Sequence, residues 1–448
     1  MRNPLRLVAT YLETRDGFYW LNMAMFLIGV FLVVPLVREQ TYHPFSWQRW
    51  LIVLVMALAP GGFLVAASLK GSGFNRLLFI TVVSAFVLVE IIFGAFWGDR
   101  RESDDLTYPH PYIVHGAKPL GGRTIPNQMD PEGESEIELR VNEWGFNEDK
   151  QLRKDKADGE IRVCVLGGST VFMGSTRANT IPALVEKHFH KVGLERVAVY
   201  NFGVISFISE QELSLLVHTV VDYEPDLVIV YDGGNDVYIP FSYDPRPGYP
   251  HNFITYEERY LRGFGESASF ASSLATLLDK SHLINRIFRP SILSYRVPIE
   301  EIREEVGYRS ERWEVSVVEK YIENIEKMCK VAEAFEFTFA LILQPLLHFK
   351  TPLVGNENNE RVTGGREFTE YTRRQYERIR MSMDNLRAEY SDDSRFLFSD
   401  LSLAFENYPR ETFWDFIHVD DEGNRFVTQE ICERLKPVME KLAGKALD

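Results

Sequence analysis

A serine stands directly after a short apolar run, where it could act as a nucleophile. Ser169 belongs to the tetrapeptide Gly-Gly-Ser-Thr, which follows the run Ile161–Leu166. Two glycines permit a tight turn from a strand into a helix, and such a turn can expose a serine hydroxyl at the edge of a sheet. A phosphate-binding turn or a plain connection would have the same local sequence. The patterns G-x-G-x-x-G and G-x-x-x-x-G-K-[ST] are absent, which disfavours nucleotide binding.

Three further motifs carry polar groups that could complete such a site. Gly203 closes the tripeptide Asn-Phe-Gly, where it could present a backbone N–H to a cavity or simply form a turn. Asn235 lies in Gly-Gly-Asn-Asp, and its amide could donate to an oxyanion or belong to an ordinary turn. Asp415 precedes His418 by three residues. A carboxylate at this spacing can bond to Nδ1 of the imidazole and leave Nε2 free to act as a base.

Strands and helices alternate along the chain, and this order decides where the motifs lie. Apolar runs predict strands at Ile161–Leu166, Val197–Phe202, Leu227–Tyr231, Phe337–Leu343 and Phe396–Ser399. Helices are predicted at Ile181–His190, Ser209–Val221, Arg312–Ala334, Glu367–Tyr390 and Glu422–Leu442. The alternation predicts an α/β domain with a doubly wound, mainly parallel sheet. Such sheets carry their sites at the carboxyl ends of the strands, and all four motifs are expected at that edge.

The four motifs, in this order, resemble the conserved blocks of the SGNH/GDSL hydrolase superfamily. Gly-Gly-Ser-Thr corresponds to block I, Asn-Phe-Gly to block II, Gly-Gly-Asn-Asp to block III and Asp-Phe-Ile-His to block V. The resemblance covers Val141–Leu442, and the segment Val-Asn-Glu-Trp-Gly-Phe that begins it is similar to that of membrane-associated members. Block I departs from the Gly-Asp-Ser of the founding members, although Gly-Gly-Ser-Thr recurs in bacterial branches.

The resemblance implies a flavodoxin-like α/β fold and a serine hydrolase that acts on ester bonds without a metal or a cofactor. Ser169 would be the nucleophile, and His418 would be its general base and later its general acid. Asp415 would hold the imidazole in place. The oxyanion donors would be the backbone N–H groups of Ser169 and Gly203, together with the side-chain amide of Asn235. Each of these five residues is a predicted catalytic residue.

Composition limits the other functions that the chain could have. Its 448 residues are 45% hydrophobic, 25% charged and 13% aromatic, which is typical of a folded protein and excludes a disordered or coiled-coil chain. Three cysteines without a Cys-x-x-Cys or Cys/His cluster predict neither a disulfide scaffold nor a zinc site. The net charge of −15 argues against a nucleic-acid partner, because phosphate binding needs a basic surface.

The first hundred residues differ from the rest of the chain. Residues 1–98 carry a net charge of +3, whereas residues 99–448 carry −18. Nearly uncharged apolar runs at 18–37, 50–69 and 77–98 have the length of a membrane span and predict three transmembrane helices. Glu90 is the one charged residue in the third run, where it could serve function or a contact between helices.

These patterns predict a membrane anchor at 1–98, a polar connector at 99–159 and a hydrolase domain at 160–448. An insertion at 238–311, rich in proline and aromatic residues, would form a lid or a substrate wall that sets substrate choice. Three spans with the N-terminus inside would make a multi-pass membrane protein whose catalytic domain lies outside the cytoplasm. The lipid bilayer and other membrane proteins are then expected partners.

The function predicted first is a membrane-anchored esterase that removes an acyl group, in particular O-acetyl, from a cell-envelope glycan through a Ser-His-Asp triad. An O-acyltransferase that modifies an exported polysaccharide would use the same acyl-enzyme, with a sugar hydroxyl in place of water. A lipid-like ester is another candidate substrate. A different class of function, a catalytically silent scaffold subunit of a membrane complex, also stays open.

Overall fold

The computed structural model describes residues 19–24, 27, 28, 76, 77, 79–84, 107–126, 136–251, 253–257, 274, 275, 277, 278, 281, 284 and 299–444. The chain divides into two compact units. The first consists of residues 1–103 and 255–299, and the second of residues 104–254 and 300–448. All four motifs that could form a catalytic site lie in the second unit.

Residues 19–24 and 79–84 of the first unit are helical. Tyr19 is buried there and packs against Met23 and Val82. Within the part of the chain that the structure describes, no helix has the length and apolar character needed to cross a membrane. The prediction of transmembrane helices at 18–37, 50–69 and 77–98 is therefore wrong for this fold.

The other residues of those three ranges, Glu90 among them, lie outside the described residues. The lipid bilayer and other membrane proteins were expected as partners only because of the predicted transmembrane helices. Without those helices they are no longer expected. The location of the second unit outside the cytoplasm stays a prediction from the sequence.

From residue 107 onward, the bounds of nine strands and ten helices are described. The strands are β1 Thr107–His110, β2 Val114–Ala117, β3 Gly122–Pro126, β4 Glu136–Arg140, β5 Ile161–Gly167, β6 Val197–Asn201, β7 Leu227–Asp232, β8 Thr338–Leu343 and β9 Phe396–Asp400. The helices are α1 Ser169–Phe172, α2 Ile181–Lys191, α3 Ser209–His218, α4 Gly234–Ser242, α5 Phe253–Glu257, α6 Ile299–Val306, α7 Glu311–Phe335, α8 Glu360–Thr363, α9 Gly365–Glu389 and α10 Asp421–Ala443.

Five strands form one parallel sheet in the order β6-β5-β7-β8-β9. This is the doubly wound order in which the chain reverses direction between the first and third strands, here β5 and β7. Ser169 follows β5 and Asn235 follows β7, so these two residues flank the point at which ligands bind in folds of this class. The parallel α/β sheet that the apolar runs predict is present.

The central strands are apolar throughout because both faces of the sheet are covered. Along β5, Val163 and Val165 pack into a layer with α2 and α10, whereas Cys164 and Leu166 pack into the opposite layer with α3, α7 and α9. Successive side chains of a strand point to opposite faces, so this alternation follows from strand geometry. The two cores hold the strand ends, and with them the loops of the site, in fixed positions.

The segment predicted as a polar connector contains two antiparallel hairpins, β1 with β2 and β3 with β4. Ile113, Leu139 and Phe146 are buried and belong to the same core layer as α3 and α7. The first hairpin reaches the neighbourhood of the site, because His115 Nε2 lies 3.1 Å from the carbonyl oxygen of Ile205. Of the predicted insertion at 238–311, the two ends are described as α4, α5 and α6, while most of 258–298 lies outside the described residues.

A buried ion pair braces the loop that precedes the Asp-x-x-His motif. Lys350 Nζ donates to Oε1 and Oε2 of Glu357 at 2.7 and 2.6 Å, and both side chains are 0% exposed. Glu357 Oε1 also accepts the backbone N–H groups of Thr412 and Phe413. The carboxylate thus fixes the chain two residues before Asp415.

Lys350→Met is expected to lower the free energy of unfolding by about 3–5 kcal/mol, because it leaves the buried Glu357 carboxylate without a counter-charge. Urea denaturation of the purified variants measures the effect. Adding Glu357→Gln to Lys350→Met should recover part of the loss. Arg434→Met, which breaks a half-exposed pair with Glu430, is the control and should change stability by less than about 1 kcal/mol. Equal effects of Lys350→Met and Arg434→Met would contradict the prediction.

Candidate active site

The serine lies on a tight turn between β5 and α1. A Cβ atom placed on Gly167 would come within 2.4 Å of the Val171 side chain and 2.5 Å of the Tyr231 carbonyl oxygen, so only glycine fits there. Ser169 is the first residue of α1 and is 8% exposed. The turn therefore fixes the serine hydroxyl at the carboxyl end of β5.

The three residues predicted as a triad are connected by hydrogen bonds. Ser169 Oγ lies 2.7 Å from His418 Nε2, and His418 Nδ1 lies 2.7 Å from Asp415 Oδ2. Asp415 Oδ1 accepts the backbone N–H groups of Ile417 at 2.8 Å and His418 at 2.7 Å. With Nδ1–H donated to the carboxylate, Nε2 is left as the acceptor for the serine hydroxyl. This arrangement can activate an oxygen nucleophile.

The carboxyl group of Asp415 is held in its charged form. Burial by itself would raise the pKa of Asp415, but the charge of His418 and the hydrogen bonds from His418 and Ile417 outweigh burial and lower the pKa below its ordinary value. An ionised Asp415 orients the imidazole and stabilises it once it has taken a proton. The indole of Trp414 stacks on the His418 ring, with the centroids 4.5 Å apart and the planes 11° apart, and further limits rotation of the imidazole.

The asparagine of the third motif points toward the serine turn. Asn235 lies in the first turn of α4, and its Nδ2 donates to the carbonyl oxygen of Phe207 at 2.8 Å. A Cβ placed on Gly168 would lie 2.5 Å from this Nδ2, so the amide sits directly beside the backbone that precedes Ser169. An amide nitrogen carries two hydrogens, and the one not donated to Phe207 remains for a ligand.

The glycine of the second motif follows β6, as predicted. The N–H of Gly203 donates to Asn201 Oδ1 at 2.9 Å, and a Cβ there would lie 2.6 Å from the backbone nitrogen of Phe172. Gly203 therefore allows close packing of the loop against α1. Its role as an oxyanion donor stays a prediction.

Ser206, which the sequence analysis missed, offers a backbone N–H in the same loop. Its φ of +62° is left-handed, and among the described residues no hydrogen bond uses its N–H. The flanking carbonyl groups are both engaged, that of Ile205 by His115 and that of Phe207 by Asn235. No sequence signal marks this position, because a glycine would be the usual residue at a positive φ.

A buried polar cluster adjoins the loop that contains Ser206 and Phe207. It consists of Ser209, Asn324, Asp236, Glu212 and Asp232. Asp236 accepts the backbone N–H and the hydroxyl of Ser209, the latter at 2.5 Å. Ser209 Oγ in turn accepts from Asn324 Nδ2 at 3.0 Å. Since Asp236 is adjacent to Asn235, these bonds hold the start of α3 against the start of α4. They thereby fix the loop that precedes α3.

Burial is the main cause of raised carboxyl pKa values in this cluster. It raises the pKa of Asp236 to about 8 and the pKa of Asp232 to about 6, and it raises the pKa of Glu212 well above its ordinary value. The neighbouring charge of Asp232 acts in the same direction on Asp236 and Glu212. Tyr321 donates its hydroxyl to Asp232 Oδ1 at 2.7 Å, which partly opposes burial.

Stability is expected to fall as pH rises from about 7 to about 8, above the range in which His251 and His348, whose pKa values burial lowers to about 4, oppose the effect of the carboxyl groups. In this interval the folded protein retains carboxyl protons that the unfolded chain, with ordinary pKa values near about 4, has already released, so rising pH favours unfolding. Urea denaturation across this range measures the slope. Asp236→Asn should flatten its upper part, whereas Asp222→Asn, at an exposed carboxylate, should leave the slope unchanged. A wild-type stability that increases over the interval would refute the assignment.

Aromatic rings form a wall beside the triad. Phe416, between Asp415 and His418 in the sequence, contacts the rings of Tyr238 and Phe368 at centroid distances of 4.7 and 5.1 Å. Tyr238 lies on α4 one turn after Asn235, so the predicted insertion begins with a residue of this wall. Of the described residues, no three His, Cys, Asp or Glu side chains are grouped so that they could hold a metal ion.

Comparison with known proteins gives structural neighbours but no sequence relative. No family model and no curated protein matches the sequence. The acetyl xylan esterase AlAXEase is similar at 13% identity over 61% of this chain and 98% of its own, with a TM-score of 0.32. Axe2, an acetylxylan esterase from Geobacillus stearothermophilus, is similar at 13% identity over 61% of this chain and 93% of its own, with a TM-score of 0.34.

TesA is a third similar structure, at 14% identity over 62% of this chain and 99% of its own, with a TM-score of 0.32. Identities and TM-scores of this size carry no argument about chemistry, so the reaction must be derived from the residues of this chain.

Proposed function

We propose that this protein is a serine hydrolase of the SGNH/GDSL type that cleaves an acyl ester. The observation that carries the proposal is the hydrogen-bonded chain from Ser169 Oγ through His418 to Asp415, with 2.7 Å at each step. These residues come from the ends of distant segments of the sequence, and a purely structural role would not require them to meet in the order nucleophile, base and acid.

In the proposed reaction, His418 Nε2 takes the hydroxyl proton while Ser169 Oγ attacks the ester carbonyl carbon. The tetrahedral intermediate collapses when the C–O bond to the alcohol breaks, and the imidazolium gives its proton to the leaving oxygen. Water then attacks the acyl-serine, again with His418 as base, and releases the carboxylic acid and Ser169. Asp415 keeps the imidazole in the productive orientation and balances its transient charge.

Three donors would stabilise the tetrahedral oxyanion. The backbone N–H of Ser169 and the free hydrogen of the Asn235 amide are two of them. The third is the N–H of Gly203, which also donates to Asn201 Oδ1; the N–H of Ser206, three residues later in the same loop, has no acceptor among the described residues and is an alternative. Donors fixed in advance by the fold contribute more than donors that must reorganise during the reaction.

We propose that the acyl group is short, in particular acetyl, and that the substrate is an O-acyl ester of a glycan, with water as the acceptor of the acyl group. Transfer to a sugar hydroxyl would proceed through the same acyl-serine. A small cavity of about 20 Å³ lies beside His418 and is lined by Thr170, Met173, Trp414 and Ile417, among others.

A fluorophosphonate probe tests the proposal, because it reacts only with an activated serine. Intact-mass measurement should show one adduct on the full-length wild-type protein and none on Ser169→Ala. Ser175→Ala, which removes a serine outside the triad, should be labelled like the wild type. An adduct that persists in Ser169→Ala, or no adduct on any folded variant, would reject the mechanism. Hydrolysis of p-nitrophenyl acetate in preference to p-nitrophenyl decanoate would support the short acyl group.

A further inference from the structure

The side chain of Gln344 lies among residues that adjoin the proposed catalytic residues. Gln344 follows the last residue of β8 and is 2% exposed. Its backbone N–H donates to the carbonyl oxygen of Asp232, the last residue of β7, at 3.0 Å. The sheet therefore holds the start of this side chain between the carboxyl ends of two neighbouring strands, where the motifs of the site also lie.

The first contact of the Gln344 side chain is with the serine turn. Thr170 Oγ1 donates to Gln344 Oε1 at 3.1 Å. Thr170 follows Ser169 directly and belongs to the same short helix, α1. Thr170 and His418 line the same small cavity. The hydrogen bond therefore limits movement of the helix that begins at the proposed nucleophile, on the side where the imidazole lies.

The second contact of this side chain is at the third motif. A Cβ placed on Gly234 would lie 2.2 Å from Gln344 Nε2 and 2.5 Å from Ile417 Cδ1. Gln344 and Ile417 therefore pack together against this glycine, which directly precedes Asn235. Ile417 in turn directly precedes His418. One buried amide thus lies where the loop after β7 and the Asp-x-x-His segment meet.

The loop after β8 also holds the Asp-x-x-His segment through its backbone. The N–H of Leu347, three residues after Gln344, donates to the carbonyl oxygen of Phe416 at 3.0 Å. Phe416 stands between Asp415 and His418 in the sequence. The segment that carries Gln344 is therefore bonded to β7 at one end and to the Asp-x-x-His segment at the other.

A polar side chain at this buried position lowers the stability of the fold. Gln344 Nε2 has no hydrogen-bond acceptor among the described residues, and a buried donor without an acceptor is unfavourable. Methionine has nearly the same volume and would avoid this loss. Departures of this kind are typical of functional sites. What the amide adds over methionine is an acceptor for the hydroxyl of Thr170.

From these contacts we infer that Gln344 is a positioning residue for the proposed reaction; the inference rests on the proposed function. It keeps three catalytic segments in register through the residue next to the catalytic one in each segment. The catalytic residues are Ser169, Asn235 and His418, and their neighbours are Thr170, Gly234 and Ile417. A displacement of about 1 Å at a reacting group can cost about 10²-fold in rate, so loss of this contact should lower kcat more than it changes KM.

Steady-state kinetics on p-nitrophenyl acetate test the inference with the full-length protein. Gln344→Met keeps the volume of the side chain and removes the acceptor, whereas Thr170→Val keeps the shape of the threonine and removes the donor. Each should lower kcat by about tenfold to 10²-fold and leave KM within about twofold of wild type. Thr170→Ser retains the hydroxyl, and its kcat should stay within about twofold of wild type.

The double variant Gln344→Met/Thr170→Val should be no slower than the slower single variant, because the two groups act through one hydrogen bond. The rate of labelling by the fluorophosphonate probe should fall in the same order as kcat. It replaces kcat as the measured quantity if the wild type reacts with the probe but does not hydrolyse p-nitrophenyl acetate.

Gln375→Met is the matched control. Gln375 is 0% exposed on α9, and its side chain bonds to residues of α7 and α9, including the carbonyl oxygen of Glu314 at 2.9 Å. The control loses an amide hydrogen bond of the same kind outside the four motifs. It should lower the melting temperature at least as much as Gln344→Met, yet keep kcat within about twofold of wild type.

Several outcomes would overturn the positioning role and leave the proposed function intact. These are a wild-type kcat in Gln344→Met, an equal loss of kcat in Gln375→Met, or losses that multiply in the double variant. If Gln344→Met does not fold, Thr170→Val decides, and a wild-type kcat there overturns the role. A folded wild type that neither hydrolyses the ester nor reacts with the probe would refute the proposed function and the positioning role with it.

Discussion

Ser169→Ala is expected to lower kcat for p-nitrophenyl acetate by about 10⁴-fold or more, because it removes the nucleophile and so the covalent route. His418→Ala should cost about as much, since the hydroxyl loses the base that takes its proton. The two side chains act as one unit at 2.7 Å. The double variant is therefore expected to be no slower than the slower single variant, because residues of one catalytic unit are strongly non-additive.

The double-variant comparison separates a catalytic pair from two unrelated losses. Initial rates are measured for wild type, both single variants and the double variant, with thermal unfolding by circular dichroism to show that all of them fold. His188→Ala removes a half-buried histidine on α2 and serves as the control, with activity expected within about twofold of wild type. If the losses of the single variants multiplied in the double variant, the two residues would not belong to one mechanism.

The triad could be predicted because its positions follow from local sequence. Ser169 and Asn235 come directly after β5 and β7, and a parallel sheet brings the carboxyl ends of its strands together whatever the loops do. His418 and Asp415 were predicted through the resemblance of the four motifs to the SGNH/GDSL hydrolases, because an Asp-x-x-His sequence alone is common; at this spacing the carboxylate reaches the imidazole. The structure places these four residues as the motifs suggested, and their catalytic roles stay predictions.

Other features depend on contacts that no local pattern reveals. The N–H of Gly203 donates to Asn201 Oδ1, and Ser206 in the same loop has a left-handed φ of +62°, neither of which a sequence pattern marks. The pair of Lys350 and Glu357 is separated from the loop that it braces by more than fifty residues. The hairpins in the predicted connector were not predicted because their strands, such as Thr107–His110 and Glu136–Arg140, contain polar and charged residues instead of an apolar run.

The three apolar runs near the N-terminus show the opposite error. Length and hydropathy alone predicted membrane spans there, yet among the described residues no helix has the length and apolar character of a span. In the described part of the first unit, Tyr19 is buried and packs against Met23 and Val82. An apolar run indicates that its side chains are removed from water, but it does not indicate whether lipid or other protein side chains cover them.

Asn235→Ala is the second substitution with a large expected effect. It should lower kcat by about 10²- to 10³-fold with little change in KM, because the amide hydrogen acts on the charge that develops only in the transition state. The serine should still react with the fluorophosphonate probe, although more slowly, since Ser169, His418 and Asp415 are untouched. Steady-state kinetics on p-nitrophenyl acetate give kcat and KM separately.

A structural role of Asn235 must be distinguished from this electrostatic one, because its Nδ2 also holds the Phe207 carbonyl group. Ser209→Ala supplies the comparison: it removes the hydroxyl bonded to Asp236 and loosens the same loop, but it leaves the Asn235 amide in place. We expect it to cost about tenfold or less in kcat, together with a lower melting temperature. If both variants lost the same activity, Asn235 would act only by positioning the loop, and full activity of Asn235→Ala would remove it from the mechanism.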